Sequence, residues 1–181
     1  RWHNLAWPLA GAHRVVSPEG RLDAEGTLAE YTFALQAATR GAQLPAAQWR
    51  ARGRGDRTQL AAQHVEIEAL RGTFAGSASV VWTPALRWHA QLAGEGIDPG
   101  AQWPAWNGSL SLSAHASGDR TETRLVLERV RGTLRDFPLD ASASAVRRGD
   151  AFPALAASLR SGTAIAHVEG RLAETWDLAW S

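Results

Sequence analysis

Asn107-Gly-Ser-Leu-Ser-Leu-Ser-Ala-His-Ala-Ser-Gly-Asp119 is the stretch that decides the fold class. Leu110, Leu112, Ala114 and Ala116 alternate with serine and histidine. Successive side chains of a strand point to opposite sides, so a period of two places all four apolar residues on one face. Asn107-Gly108 and Gly118-Asp119 bound the run with turn chemistry at both ends. The reading is a half-buried β-strand between two tight turns.

The same alternation recurs along the chain. On the N-terminal side it appears as Leu5, Trp7, Leu9; Tyr31, Phe33, Leu35, Ala37; Val65, Ile67, Ala69; Ala78, Val80, Trp82; and Trp88, Ala90, Leu92. On the C-terminal side it appears as Leu125, Leu127; Leu139, Ala141, Ala143, Ala145; Ala164, Ala166, Val168; and Trp176, Leu178, Trp180. Further turn signals lie at Ser17 to Gly20, Gly53 to Asp56, Gly94 to Gly100, Arg148 to Asp150 and Ser161-Gly162. Roughly a dozen strands follow, mainly antiparallel. Two Ala-rich windows, Gln59 to Gln63 and Phe152 to Leu159, also fit short helices, and the second is read as a strand.

The 181 residues suffice for one domain, 1–181, with a sizeable core. Apolar residues make up 45%, much of it alanine, and nine are Trp. All 19 basic residues are Arg, set against 18 acids for a net charge of +1, which removes the electrostatic case for nucleic acid. Arg21 to Asp23, Asp119-Arg120 and Arg135-Asp136 show the mixing that marks a solvated surface. Cys is absent, so neither a disulfide framework nor a thiolate metal site forms. Met is absent too, and no signal peptide or apolar span is visible, so the chain reads as part of something longer whose anchor lies elsewhere.

Internal similarity is the most informative feature. Glu68-Ala-Leu-Arg-Gly-Thr-Phe74 returns as Glu128-Arg-Val-Arg-Gly-Thr-Leu134, and Gly55-Asp-Arg-Thr58 returns as Gly118-Asp-Arg-Thr121. Gly20-Arg-Leu22 returns as Gly170-Arg-Leu172, and Gly26-Thr-Leu28 echoes the same step. Repeats of this kind mark stacked units that bury a core only together, with joints expected near residues 20, 72 and 132. Each repeated Gly is expected where one strand hands over to the next, as a turn or bulge. Strong strands at both termini, Leu5 to Leu9 and Trp176 to Trp180, lead to the expectation of further repeats beyond both ends, although a barrel closing first strand onto last gives the same pattern.

Phrases covering most of the chain resemble the repeating region of the TamB family, within the wider AsmA-like group. The first is Ala90-Gln-Leu-Ala-Gly-Glu-Gly-Ile-Asp-Pro-Gly-Ala-Gln-Trp-Pro-Ala-Trp-Asn-Gly-Ser-Leu110, with a weaker copy in Gly41-Ala-Gln-Leu-Pro-Ala-Ala-Gln-Trp49. The second is Val130-Arg-Gly-Thr-Leu-Arg-Asp-Phe-Pro-Leu-Asp140, and the third Val168-Glu-Gly-Arg-Leu-Ala-Glu-Thr-Trp-Asp-Leu-Ala-Trp180. The resemblance implies an all-β, elongated, curved sheet forming an open trough with an apolar interior. It also implies a periplasmic part of an inner-membrane-anchored bacterial protein, which guides phospholipid towards the outer membrane beside a barrel partner of the TamA/Omp85 type. The candidate groove lining is then Phe33, Leu35, Val65, Ile67, Val80, Trp82, Trp88, Leu92, Leu110, Leu112, Leu125, Leu127, Leu139, Val168, Trp176 and Leu178.

Signals for an enzyme are poor. The six His residues are dispersed without metal-ligand spacing, and no Ser sits in a nucleophile elbow, so no catalytic residue, metal or cofactor is expected. His64, Glu66 and Glu68 share a strand face, read as an exposed polar face opposite Val65, Ile67 and Ala69 rather than a cation site. Asp136 and Asp140 flank a Pro-Leu step and read as turn residues. Trp103 and Trp106, split by Pro104, offer flat apolar faces to a sugar, but read first as a loop covering one end or edge of the sheet.

The apolar stripes have two readings. Alternating Leu and Trp usually become core, yet Ala114, Ala116, Ala141, Ala143, Ala145 and Ala166 would leave space between two facing walls. Acyl chains would fill it: about 0.8 kcal/mol per buried methylene gives on the order of 10 kcal/mol for a chain of about 16 carbons. Three functions therefore stay open. The first is a lipid-guiding groove; the second, a scaffold whose sheet edges pair with strands of client outer-membrane or autotransporter proteins; the third, a Trp-rich carbohydrate-binding sandwich.

Overall fold

The computed structural model describes residues 1–8, 15–41, 44–173 and 176–181. Leu9 of the first apolar run, residues 42–43 of the weaker linker phrase and residues 174–175 of the closing phrase lie outside the described residues. Thirteen strands run in chain order: β1 (Trp2–Trp7), β2 (Val15–Thr27), β3 (Glu30–Gly41), β4 (Ala47–Gly55), β5 (Gln59–Ala69), β6 (Gly72–Val81) and β7 (Arg87–Ile97), then β8 (Gly108–Asp119), β9 (Glu122–Leu134), β10 (Phe137–Arg148), β11 (Ala151–Ser161), β12 (Ala164–Leu172) and β13 (Trp176–Trp180).

Every strand pairs antiparallel with its sequence neighbours, giving one sheet in the order β1 to β13. The first and last strands do not meet, so the sheet stays open and is not a barrel. Both Ala-rich windows are strands: Gln59 to Gln63 opens β5, and Phe152 to Leu159 lies in β11. The antiparallel sheet gives their amides ladder partners on both sides, and that overrides a weak helix propensity.

Turn chemistry explains why the chain reverses so regularly. Asp56 accepts hydrogen bonds from the Thr58 hydroxyl (2.6 Å), the Thr58 amide (2.7 Å) and the Gln59 amide (3.1 Å). Asp119 holds Thr121 and the Glu122 amide in the same way. The repeated Gly-Asp-Arg-Thr phrase is therefore one self-capped hairpin turn used twice.

The longer repeat behaves differently. Leu70 and Arg71 turn β5 into β6 with φ of 52° and 61°, and Arg135 and Asp136 turn β9 into β10 with φ of 51° and 67°. Positive φ at both central residues matches hairpin twist, here achieved without glycine. Gly72 does open β6, but Gly20, Gly132 and Gly170 lie inside β2, β9 and β12, which corrects the expectation that each repeated Gly marks a handover. The Ser17 to Gly20 turn signal likewise falls within β2, where the register slips against β3.

Long-range packing is sparse. Among the described residues, buried side chains are confined to Ala47, Ala62, Ile67, Ile97, Val130 and Ser17. The solvent-accessible surface is 12571 Å². A compact folded chain of 19.5 kDa exposes about 8,500 Å², so roughly 4,000 Å² remains that a second layer would ordinarily cover. The β7–β8 connection, with its single turns Pro99–Ala101 and Pro104–Trp106, lies at one end of the sheet. Asp98 ties it down by accepting from the Gly100 and Gly108 amides and from Arg71. Trp103 and Trp106 stay exposed there, with the Arg135 guanidinium 5.7 Å from the Trp106 ring centre.

Candidate functional site

Cross-strand partners share a face, so the register maps the surface directly. Leu22, Leu35, Ala51, Val65, Gly76, Leu92, Ala114, Leu127, Ala143, Ala157, Val168 and Trp180 are successive partners from β2 to β13. A second row runs from Trp2 through Gly20, Ala37, Trp49, Ile67, Phe74, Gly94, Leu112, Val130, Ala141 and Leu159 to Ala166. Neither row contains a polar side chain. At about 4.8 Å between strands the apolar lane is roughly 50 Å long.

Bulges keep this face in phase. In β5 the apolar residues are Leu60 and Ala62, then Val65, Ile67 and Ala69, and the irregularity between Ala62 and Val65 absorbs the odd residue. In β9 Leu125 and Leu127 are followed by Val130, with Glu128 and Arg129 taking up the slip. Without these extra residues, the second half of each strand would turn its apolar set to the other side.

Glycines on the same face let large side chains lie flat. A Cβ on Gly94 would fall 2.6 Å from Phe74 Cδ1, one on Gly55 2.6 Å from the Tyr31 ring at Cζ, and one on Gly118 2.9 Å from Trp88 Nε1. At Gly20 the space is filled by the Trp2 indole. Each aromatic ring thus covers the gap left by a cross-strand glycine.

The opposite face is polar and ion-paired. Arg50 reaches Glu68 at 2.8 Å and Glu66 at 4.0 Å, so two of the three residues read as an exposed polar face meet an arginine across the strand. Arg131 pairs with Asp140 at 2.8 Å, which places Asp140 inside β10 rather than in the turn, while Asp136 is a turn residue. Glu122 receives Arg148 and Arg124, and these hydrogen bonds hold its carboxyl below the usual range. Asp56 is lowered to about 2, first by the Thr58 hydroxyl and then by the Thr58 amide. Such exposed pairs add little stability; they keep this side wet.

The sequence-derived candidates whose side chains are described fall together on the apolar face with one exception. Phe33, Leu35, Val65, Ile67, Val80, Trp88, Leu92, Leu110, Leu112, Leu125, Leu127, Leu139, Val168 and Leu178 are linked by register across β3 to β13, while the Trp176 side chain lies outside the described residues. Trp82 lies beyond β6 and caps the β4–β5 turn, its indole donating to the Arg57 carbonyl (2.8 Å) and its amide to Thr58. Sequence reasoning missed Leu22, Trp49, Phe74, Val130, Leu155 and Leu159, which share the face. For Val130 a slip of one in the alternation was the available signal; Leu155 and Leu159 were hidden in an Ala-rich window.

A family model described as the N-terminal domain of TamB matches residues 1–181. No solved structure matches the chain.

Proposed function

This chain belongs to the TamB family, matching its N-terminal domain throughout, and on that premise we propose that it is a non-enzymatic segment whose apolar sheet face carries phospholipid acyl chains. The supporting observation is the unbroken row from Leu22 to Trp180, twelve strands long, with no second layer over it among the described residues. Acyl chains lie along such a lane at about 0.8 kcal/mol per methylene covered, while headgroups remain in water at the open side. Binding is then strong in sum and weak per step, which suits sliding over a track. Twist and bulges curl the sheet into a trough around its cargo.

In this reading the segment works in the periplasm of a bacterial envelope, beside an outer-membrane barrel partner of the TamA/Omp85 type, in outer-membrane biogenesis. Photocrosslinkers at Leu112 and Leu127 should capture phospholipid, and Leu112→Asp or Leu127→Arg should block lipid passage by placing an ion in the lane. Lipid capture at neither position, with crosslinks from the β13 edge to a client barrel strand instead, would replace this function with a folding scaffold.

A further inference from the structure

One charged residue interrupts the apolar face. Tyr31, Gly55, Leu60, Val80, Trp88, Gly118, Thr123 and Arg147 are successive partners from β3 to β10, so Arg147 ends an otherwise uncharged row on the lane side. Among the described strand residues, no other Arg, Asp or Glu is carried on this face by the cross-strand register. Its neighbour Arg148, on the polar face, is neutralised by Glu122 at 2.7 Å. Arg147 instead donates through Nε to the Gly149 carbonyl at 2.8 Å, and meets Asp150 at 3.6 Å, a carboxylate fully open to water. The Arg147 side chain is 57% exposed.

Two further hydrogen-bonding groups share the row. Thr123 is the direct partner of Arg147, and the Trp88 indole nitrogen lies over Gly118, the residue between them. An apolar lane ending in a guanidinium, a hydroxyl and an indole N–H matches a diacyl lipid with an anionic phosphate headgroup: tails on the lane, phosphate at its rim. An Arg fork binds phosphate oxygens in two parallel charge-assisted hydrogen bonds.

Resting on the lipid reading above, we propose that Arg147, with Thr123, is a headgroup-positioning site that selects phosphate-bearing lipids over neutral ones. The whole chain would be titrated with short-chain phosphatidylglycerol, with diacylglycerol of the same chains and with glycerol 3-phosphate, followed by Trp fluorescence. Wild type should prefer phosphatidylglycerol over diacylglycerol about tenfold, as one charge-assisted contact gives, and should not hold glycerol 3-phosphate alone. Arg147→Gln should abolish the preference while keeping diacylglycerol affinity; Arg147→Lys should restore part of it; Arg148→Gln should change nothing. An undiminished preference in Arg147→Gln overturns the site and leaves the lane standing. Glycerol 3-phosphate binding as tightly as the lipid also overturns it, as a phosphate site independent of the lane. If neither lipid binds, or Leu112→Asp alters neither affinity, the lipid reading itself fails.

Discussion

The apolar faces of β4–β9 and β10–β12 are built differently. In β4–β9, bulky residues interlock with glycines across the strands, as Phe74 does with Gly94 and Trp88 with Gly118. The buried apolar residues Ala47, Ala62, Ile67, Ile97 and Val130 belong to this part. In β10–β12 the face is richer in alanine, with Ala141, Ala143, Ala145, Ala157, Ala164 and Ala166 set among Leu139, Leu155 and Val168, and Leu159 is 43% exposed. A single sheet can gain local packing within its own surface where large side chains meet small ones, and gains less where small side chains predominate. The first part should therefore hold the sheet together, and the second should open first. Amide exchange that is faster in β10–β12 than in β4–β9 is the direct check; equal protection would remove the distinction.

The strongest way to break the first part is at its border. Gly132 has φ 142°, and a Cβ there would lie 2.0 Å from the Ser109 carbonyl oxygen. Gly132→Val should cost about 3 kcal/mol or more in urea unfolding, from backbone strain and displacement of β8 from β9. Gly162→Ala, in the β11–β12 turn at φ 59° with nothing near its Cβ, should cost only about 1 kcal/mol.

Side-chain truncation sharpens the contrast. Ile67→Ala removes a buried contact with Phe74 and Trp49 on either side, and should cost about 2 kcal/mol, the low end for a core residue because one side of it faces no protein. Leu159→Ala in β11 should cost less than about 1 kcal/mol. Similar losses at both sites would mean that the two parts are packed alike.

The smallest effect is at the turns. The Asp56 carboxylate is lowered to about 2 in the folded chain, against about 3.9 when unfolded. A depressed carboxylate favours folding above its unfolded value, and this contribution is lost as pH falls from about 4 towards about 2. Asp56→Asn should flatten the acid part of the stability curve in that window and leave it unchanged near neutrality apart from a constant offset. An identical acid slope would show that Asp119 and the other turn carboxylates carry it.

Much of this was readable from residues alone. Alternation in Leu110 to Ala116 gives a strand and its apolar face, and Asp56 and Asp119 announce their turns by chemistry that acts within three residues. Two things were hidden. Leu70-Arg71 and Arg135-Asp136 turn without glycine, because the pairing of the strands on either side imposes positive φ on ordinary residues. Gly132 and Gly170 read as handovers between strands but lie within β9 and β12, in gaps beneath neighbouring strands, a role defined by residues distant in sequence.

The sequence by itself determined a β meander with one apolar side, since side-chain period and turn chemistry are local properties. Only the tertiary structure decided that thirteen strands form one open sheet, that bulges in β5 and β9 keep Leu60 with Ile67 and Leu125 with Val130 on the same side, and that Arg147 stands on the apolar face. Facing after a bulge depends on hydrogen-bond register with the neighbouring strand, and register is a relation between segments that no single segment contains.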